Sequence, residues 1–381
     1  MRIAIFTDTY LPTVDGVVNS IRNTRSTLQA MGHEVLIIAP GDKNDIDGAG
    51  GRTLYCRSTV LRRYPGYRLA IYPSRREQAF LRDCDADLIH SHGIAFMGLK
   101  GLWAARELDL PMALTFHTMI QDAVPHYTSL RAGSQMLERL LSIYLRSFLH
   151  RCGAVVAPTN AVLKELWKLA PRMRRGLVIP NGVDVNRFHT GLDGAPIRER
   201  YDLEDAEVIL HVGRVAPEKD IAFLLETFPS LLRRRPNSRL MVVGEGPALE
   251  RYRKETQRKG LANRIIFTGF VPDEELPLHY AACDVIATAS RFETQGLAVL
   301  EGMACGKPVA AVNYRAFPEY IKDGVNGFLF APGSSEGCCD AIVKALKAGD
   351  ELQEKARETA ERFSLERCAR GLLALYEEML V

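Results

Sequence analysis

The first forty residues carry the pattern that most restricts the fold. Arg2–Phe6 is a short apolar run, and Thr7–Gly16 is rich in turn-forming residues. Val17–Met31 places Val18, Ile21 and Leu28 on one side at helical spacing, and after Gly32 a second apolar run, Val35–Ala39, follows. Strand, loop, helix and strand in that order require a crossover between parallel strands. A doubly wound α/β sheet with helices on both faces is therefore expected. Ligands of such sheets sit at the carboxyl ends of the strands, where the loop with Asp15 and Gly16 opens a helix. That loop is not a Gly-x-Gly-x-x-Gly turn, so it argues against a nicotinamide or flavin site.

The alternation continues along the chain. Asp87–His92 and Met112–His117 read as strands with polar tips, and Ala154–Ala157 and Leu177–Ile179 as two more, the last running into the turn Pro180–Asp184. Residues 190–205 hold Gly, Pro and scattered charge and are expected to link two domains. The pattern then restarts with Val208–Val212, the loop Gly213–Lys219, the helix Ile221–Leu232, strand Leu240–Val243 and the turn Gly244–Pro247. Two domains of roughly 150–200 residues suit the length, and tandem doubly wound domains imply a site in the cleft between them.

Composition narrows the class. With 47% hydrophobic and 25% charged residues, the chain is an ordinary core-forming globular protein. Met1–Phe6 reads as a strand and not as a secretory signal, and no apolar run approaches the ~20 residues that span a bilayer. The eight cysteines form no Cys-x-x-Cys pair and are expected to be reduced and mostly buried. A cytoplasmic protein, at most peripheral on the inner face of the cell membrane, is the expectation. Residues 1–190 carry 24 Lys and Arg against 16 Asp and Glu, whereas residues 191–381 carry 25 against 30. The basic half is expected to face something anionic: a membrane surface, a phosphorylated acceptor or nucleic acid. Scattered solvated charge is the plainer reading.

The stretch from Asp284 to Pro308 carries the chemistry. Asp284–Ser290 is a strand, and Leu297, Leu300, Met303 and Ala304 mark a helix. Between them Glu293-Thr294-Gln295-Gly296 is a turn at a helix mouth, where free N–H groups suit a phosphate and Gly296 lets the backbone approach a ligand. Glu293 and Glu301 on one helix would stand ~12 Å apart, too far for a hydrolytic carboxylate pair, which needs about 5–9.5 Å. One before the helix and one within it instead grip two ends of a substrate; otherwise Glu293 caps the helix and Glu301 is a solvated face residue. Arg214 and Lys219 add a guanidinium and an ammonium, together a diphosphate clamp. The second half holds no Asp-x-Asp pair, so the clamp would have to replace a metal.

Several other features remain open on the sequence. His90 and His92 point the same way on a strand, like a metal pair, but no third ligand lies at suitable spacing and no metal is expected. His117, at a strand tip, is placed to touch substrate hydroxyls or to transfer a proton, or else satisfies buried backbone. Asp42–Gly51 is a polar, Gly-rich loop. Leu61–Arg68 is basic with interleaved aromatics, an acceptor or membrane-contact loop or a solvated one. Gln135–His150 sets Met136, Leu137, Leu140, Leu141, Tyr144 and Phe148 on one face and Glu138, Arg139 and Arg146 on the other. Core packing is expected there, not membrane insertion.

Taken together, Gly213-Arg214…Glu218-Lys219, Gly244-Glu-Gly-Pro247 and Glu293-x7-Glu301 with Gly302-Met-Ala-Cys-Gly-Lys-Pro308 resemble the retaining GT-B glycosyltransferases of family 4. Phe6-Thr-Asp-Thr-Tyr-Leu-Pro…Asp15-Gly16 and Pro180-Asn-Gly-Val-Asp184 extend the resemblance over nearly the whole chain. It implies two Rossmann-like domains facing each other across a cleft. Residues 1–190 with a returning helix, 365–381, would bind an acceptor, and residues 195–364 a nucleotide-diphosphate sugar, UDP-linked.

By the same resemblance Arg214 and Lys219 bind the diphosphate and aid its departure, and Glu301 takes the ribose hydroxyls. Glu293, Thr294, Gln295, Gly296 and Leu297 hold sugar and phosphate, with Gly213, Gly244 and Val271 lining the donor site. Gly16 admits the diphosphate, and His117 contacts the sugar near C6. Asp15, Asn19, His117, Asp122 and Tyr127 fall on the acceptor side. The departing phosphate is implied to deprotonate the acceptor on the same face, with no enzymic nucleophile, metal or cofactor; Arg214, Lys219, Glu293 and His117 are then the catalytic set. Within the family Phe116–Tyr127 looks most like enzymes that glucosylate diacylglycerol, departing at Val124-Pro125. Phosphatidylinositol, sugar and protein acceptors go with the same donor motifs. A GT-B-shaped nucleotide-sugar epimerase and a non-catalytic sugar-nucleotide-binding protein are the rival readings, and a nucleic-acid partner is not expected.

Overall fold

A computed structural model describes residues 1–13, 15–41, 52–60, 68–71, 74–117 and 134–381. Its chain divides into two units, Met1–Gly182 with Leu365–Val381, and Val183–Ser364.

In the first unit seven strands form one parallel sheet. They are β1 (Arg2–Phe6), β2 (Glu34–Gly41), β3 (Thr53–Arg57), β6 (Leu88–Ser91), β7 (Met112–Thr115), β8 (Ala154–Ala157) and β9 (Gly176–Val178), in the order β3-β2-β1-β6-β7-β8-β9; β4 (Thr59–Val60) and β5 (Arg68–Leu69) make a small antiparallel ribbon. Ile3 pairs with Val35 on one side and Leu88 on the other. Side chains alternate across a strand, so the sheet has two cores. Ala4, Phe6, Leu36, Ile38 and Ile89 belong to one, and Ile3, Ile5, Val35, Ile37 and Leu88 to the other. The helix Leu365–Leu380 returns to the second of these cores. It buries Ala369, Leu372, Leu375 and Tyr376 there beside Val18, Ile21 and Leu28 of the helix Gly16–Ala30. Each large apolar side chain so buried contributes about 1.5–3 kcal/mol.

The second unit is a six-stranded parallel sheet of β10 (Glu207–Val212), β11 (Ser238–Val243), β12 (Ile265–Gly269), β13 (Val285–Thr288), β14 (Val309–Val312) and β15 (Phe328–Phe330), ordered β12-β11-β10-β13-β14-β15. The stretch 190–205 is built into it: Ile197 and Leu203 are buried in its core, and Arg198 grips Asp284 with bonds of 2.9 and 2.8 Å. The chain passes from one unit to the other at Gly182–Val183 and Ser364–Leu365.

The helix Ser134–Leu149 meets the expectation of core packing only in part. Leu145, Phe148 and Leu149 are buried, Leu141 and Tyr144 are half-buried, and Met136, Leu137, Leu140 and Ile143 are exposed. Its apolar arc runs around well over half of the helix, whereas one packing face needs a stripe of only ~100° or somewhat more. The surplus lies outside the core. All eight cysteines are buried and unpaired. Among the described residues no helix is long and apolar enough to cross a membrane.

Candidate functional site

Strand order in the second sheet reverses between β10 and β13. Parallel neighbours release their loops at the same edge, so the loops leaving these strands emerge side by side. The β10 loop carries Arg214 and ends in a 3-10 turn, Pro217–Lys219. The β13 loop carries Glu293. Lys219 Nζ donates to Glu293 Oε1 at 2.5 Å, with both side chains 22% exposed. Burial alone would raise the Glu293 carboxyl, but the Lys219 charge, its hydrogen bond and the Ser290 hydroxyl outweigh burial and hold the pKa below the usual value. The Arg214 guanidinium lies 3.8 Å from Glu218 on its own loop.

Two glycines let these loops close up. A Cβ on Gly244 would lie 2.1 Å from the Gly213 carbonyl oxygen, and the loop after β11 presses there onto the β10 loop, where Val215 N–H donates to Glu245 O at 2.8 Å. Gly296 has φ +83° and a Cβ there would lie 2.7 Å from Phe317 Cε1. Gly296 caps the helix Leu297–Ala304 with no side-chain cap bond, so Glu293 is not the cap. The Tyr320 hydroxyl donates to the Gln295 carbonyl at 2.9 Å and steadies the turn, in which Thr294 is half-buried.

Glu301 is not a solvated face residue either. The buried Tyr280 hydroxyl donates to its Oε2 at 2.7 Å. Burial raises the Glu301 carboxyl, more than the Tyr280 bond and the Arg187 charge lower it. Val271 is half-buried against the same core. Arg187, Tyr280 and His211 were not anticipated. His211 is buried in β10, shares a hydrogen bond of 3.0 Å with Ala287 O and feels the charges of Lys219 and Glu293. One polar residue within an apolar strand was the signal available for it.

In the first unit Asp15 Oδ1 accepts from Val17 N–H and Val18 N–H, each at 2.9 Å. Its carboxylate is thus the cap of the helix Gly16–Ala30. A Cβ on Gly16 would meet nothing within 4 Å, so packing in this unit does not require glycine there. Asn19 N–H donates to the Asp15 carbonyl at 2.9 Å. Asp122, Tyr127, Val14, Leu61–Tyr67 and Asp42–Gly51 lie outside the described residues.

His117 follows β7 and joins a pair read from β6. His92 Nδ1 and His117 Nε2 share a hydrogen bond of 2.8 Å, their rings stacked 5.0 Å apart. His90 packs tilted on His92 at 4.3 Å, with Nδ1 2.5 Å from Tyr376 Oη and Nε2 2.7 Å from Thr115 Oγ1. Burial lowers all three: His90 to about 3, His117 to about 4, and His92 well below 6.5. The third histidine, absent from the spacing of the first two, comes from the adjacent strand. Yet among the described residues no group of three or more His, Cys, Asp or Glu is arranged to hold a metal ion.

Comparison with known proteins identifies the family. Residues 14–187 match the model for Glycosyltransferase Family 4, and residues 195–363 that for glycosyl transferases group 1. The chain is 30% identical to an alpha-monoglucosyldiacylglycerol synthase of Streptococcus pneumoniae, over 93% of this chain and 80% of that one. It is 29% identical to a sulfoquinovosyl transferase of Arabidopsis thaliana, over 95% and 70%. Among solved structures, sucrose-phosphate synthase from Thermosynechococcus elongatus superposes with a TM-score of 0.79 at 22% identity, covering 100% of this chain and 99% of that one. Anabaena HepE in complex with UDP and glucose gives 0.80 at 21%, covering 99% and 100%. Two parallel sheets of this topology and matches across both halves lead to one assignment: the chain belongs to family 4 of the glycosyltransferases, enzymes of the GT-B fold.

Proposed function

We propose that the enzyme moves a hexose, with retention at the anomeric carbon, from a UDP-linked sugar to a hydroxyl of a diacylglycerol- or phosphatidylinositol-type lipid. The reaction needs no metal and takes place on the cytoplasmic surface of an anionic membrane. The observation that carries the reading is the meeting of Lys219 and Glu293 beside a helix mouth that has no side-chain cap bond. A bound diphosphate there meets Lys219, Arg214 and the N–H groups of Thr294–Leu297, which offset the negative charge that grows as the bond from C1 to phosphate breaks. Glu293 orients the sugar, and Glu301 accepts from the ribose hydroxyls. The acceptor oxygen bonds to C1 on the face the phosphate leaves, and a phosphate oxygen takes its proton. Val183–Ser364 then serves the donor and the first unit the acceptor.

The lipid acceptor is supported by the glucosyldiacylglycerol synthase relative. The membrane surface is supported by the helix Ser134–Leu149. Met136, Leu140 and Ile143 are 65%, 57% and 55% exposed, and Arg139 and Arg146 are exposed on the same helix, the mixture an interfacial helix uses on anionic lipid.

The test incubates the protein in EDTA with UDP-, GDP- and ADP-sugars, with and without vesicles containing diacylglycerol, and follows nucleotide release and the anomeric configuration of the product. Release that requires one UDP-hexose and the lipid, with an α product from an α donor, is the expected result. Donor turnover without any acceptor would favour an epimerase, transfer to soluble sugars or peptides another acceptor class, and binding without turnover a non-catalytic role.

A further inference from the structure

Tyr280 stands near the end of the short helix Leu276–Ala282, with its ring fully buried. Phe188 meets the ring edge-on, the centroids 5.5 Å apart and the planes at 88°. The helix that bears Glu301 seats directly against the same ring. A Cβ on Gly302 would lie 2.5 Å from Ile286 Cγ1 and 3.5 Å from Tyr280 Cδ1. Such packing asks for an aromatic ring and not for a hydroxyl, which is costly to bury without a partner. Among the described residues that hydroxyl donates to Glu301 Oε2, at 2.7 Å. Glu301 is half-buried. Burial and the Asp273 carboxylate disfavour its charge, and the Tyr280 bond and the Arg187 guanidinium favour it. Burial and the Glu301 charge push the Tyr280 phenol well above its ordinary value, so it keeps its proton and remains a donor.

We propose that Tyr280 is a positioning residue for Glu301: its buried hydroxyl holds Oε2 and leaves Oε1 for the ribose hydroxyls of the donor. A glutamate side chain has three torsions to fix, and a bond from a rigid, buried phenol restricts them before any ligand arrives. Ordering done in advance is not charged against binding. The same bond favours the ionised carboxylate, the form that accepts hydrogen bonds at both oxygens and donates none. The ribose contact rests on the role proposed above for Glu301; the hold of Tyr280 on the carboxylate does not.

The test uses the full chain. The Glu301 carboxyl, assigned by its loss in E301Q, is followed by 13C NMR in wild type and Y280F. Loss of the hydroxyl removes one influence that lowers this carboxyl, so Glu301 is expected to titrate at higher pH in Y280F. If Y280F does not fold, 3-fluorotyrosine incorporated in place of tyrosine makes the reverse comparison. Its more acidic phenol donates more strongly and should move the titration lower. This arm needs no nucleotide and stands whichever donor the enzyme takes. The second arm measures binding of UDP and of its 2′,3′-dideoxy counterpart, which keeps the base and the diphosphate. At pH 7.5 Y280F is expected to lose roughly tenfold in affinity for UDP, the scale of a hydrogen bond to a charged group, with little change on the dideoxy compound. On acidification the preference for UDP over the dideoxy compound should fade at a higher pH in Y280F than in wild type. A Glu301 titration that neither substitution moves overturns the proposal. A moved titration with equal losses on both nucleotides upholds the positioning and overturns the ribose contact instead, in which case E301A also treats the two nucleotides alike.

Discussion

Replacing Lys219 by Met is expected to invert the pH dependence that Glu293 gives to the second unit. In the native chain the carboxyl titrates below its unfolded value of 4.5. Its contribution to stability is therefore present above that value and lost as pH falls through the lower folded one. Without the ammonium, burial becomes the dominant influence on the carboxyl, opposed only by the weaker effects of Ser290 and His211, and the pKa moves above 4.5. The contribution is then greatest in acid and is lost as pH rises through the raised value. The size follows from exposure. Breaking a fully buried pair costs ~3–5 kcal/mol and an exposed one ~0–1 kcal/mol. With each side chain 22% exposed, about 2 kcal/mol at pH 7.5 is the reasonable discount, or ~4–8 °C in the melting of a unit this size. Calorimetry of wild type, K219M, E293Q and K219M/E293Q at pH 7.5 and 5.0 reads it directly. The gap between wild type and K219M should shrink markedly at the lower pH, and the double variant should recover about 1 kcal/mol over K219M at the higher one. A gap equal at both pH values, or a double variant no better than K219M, would show that the ammonium does not hold Glu293.

Three further outcomes are expected. Gly296→Ala places a Cβ 2.7 Å from Phe317 Cε1 at φ +83° and should cost about 1–3 kcal/mol in urea unfolding; a loss under ~0.5 kcal/mol would contradict the crowding. His90, held to about 3 against 6.5 unfolded, stabilises the first unit above pH 6.5, and that stability is lost as pH falls from 6.5. Urea unfolding at pH 7.5, 6.5 and 5.5 should weaken over the last step in wild type and by a smaller amount in H90F, where His92 and His117 still titrate below 6.5. The pair L140E/I143E, at exposed positions, should leave the melting temperature within ~2 °C of wild type while abolishing co-sedimentation with vesicles rich in anionic lipid; undiminished co-sedimentation would remove that helix from the membrane surface.

The loops that carry the site were legible because their signals are local. Arg214 and Lys219 follow an apolar run, and Glu293–Gly296 separates a strand pattern from a helix pattern. The role of Asp15 was not legible: whether a carboxylate at a helix mouth meets a ligand or the first N–H groups depends on a rotamer, and here it takes Val17 and Val18. Nor was the exposure of Met136, Leu140 and Ile143. Periodicity shows that a helix has an apolar arc, but how much of that arc is covered depends on the neighbours that reach it.

By itself the sequence determined that this chain builds parallel sheets with ligand loops at the strand ends, because strand and helix periods are properties of a few consecutive residues. Its motifs determined the family. The tertiary structure alone decided which loops meet. Lys219 and Glu293 are 74 residues apart and touch because β10 and β13 are neighbours across the reversal of the sheet. His92 and His117 come within hydrogen-bonding distance because β6 lies beside β7. Strand order is the outcome of packing whole elements against common cores, and no window of the sequence short enough to read as a pattern contains it.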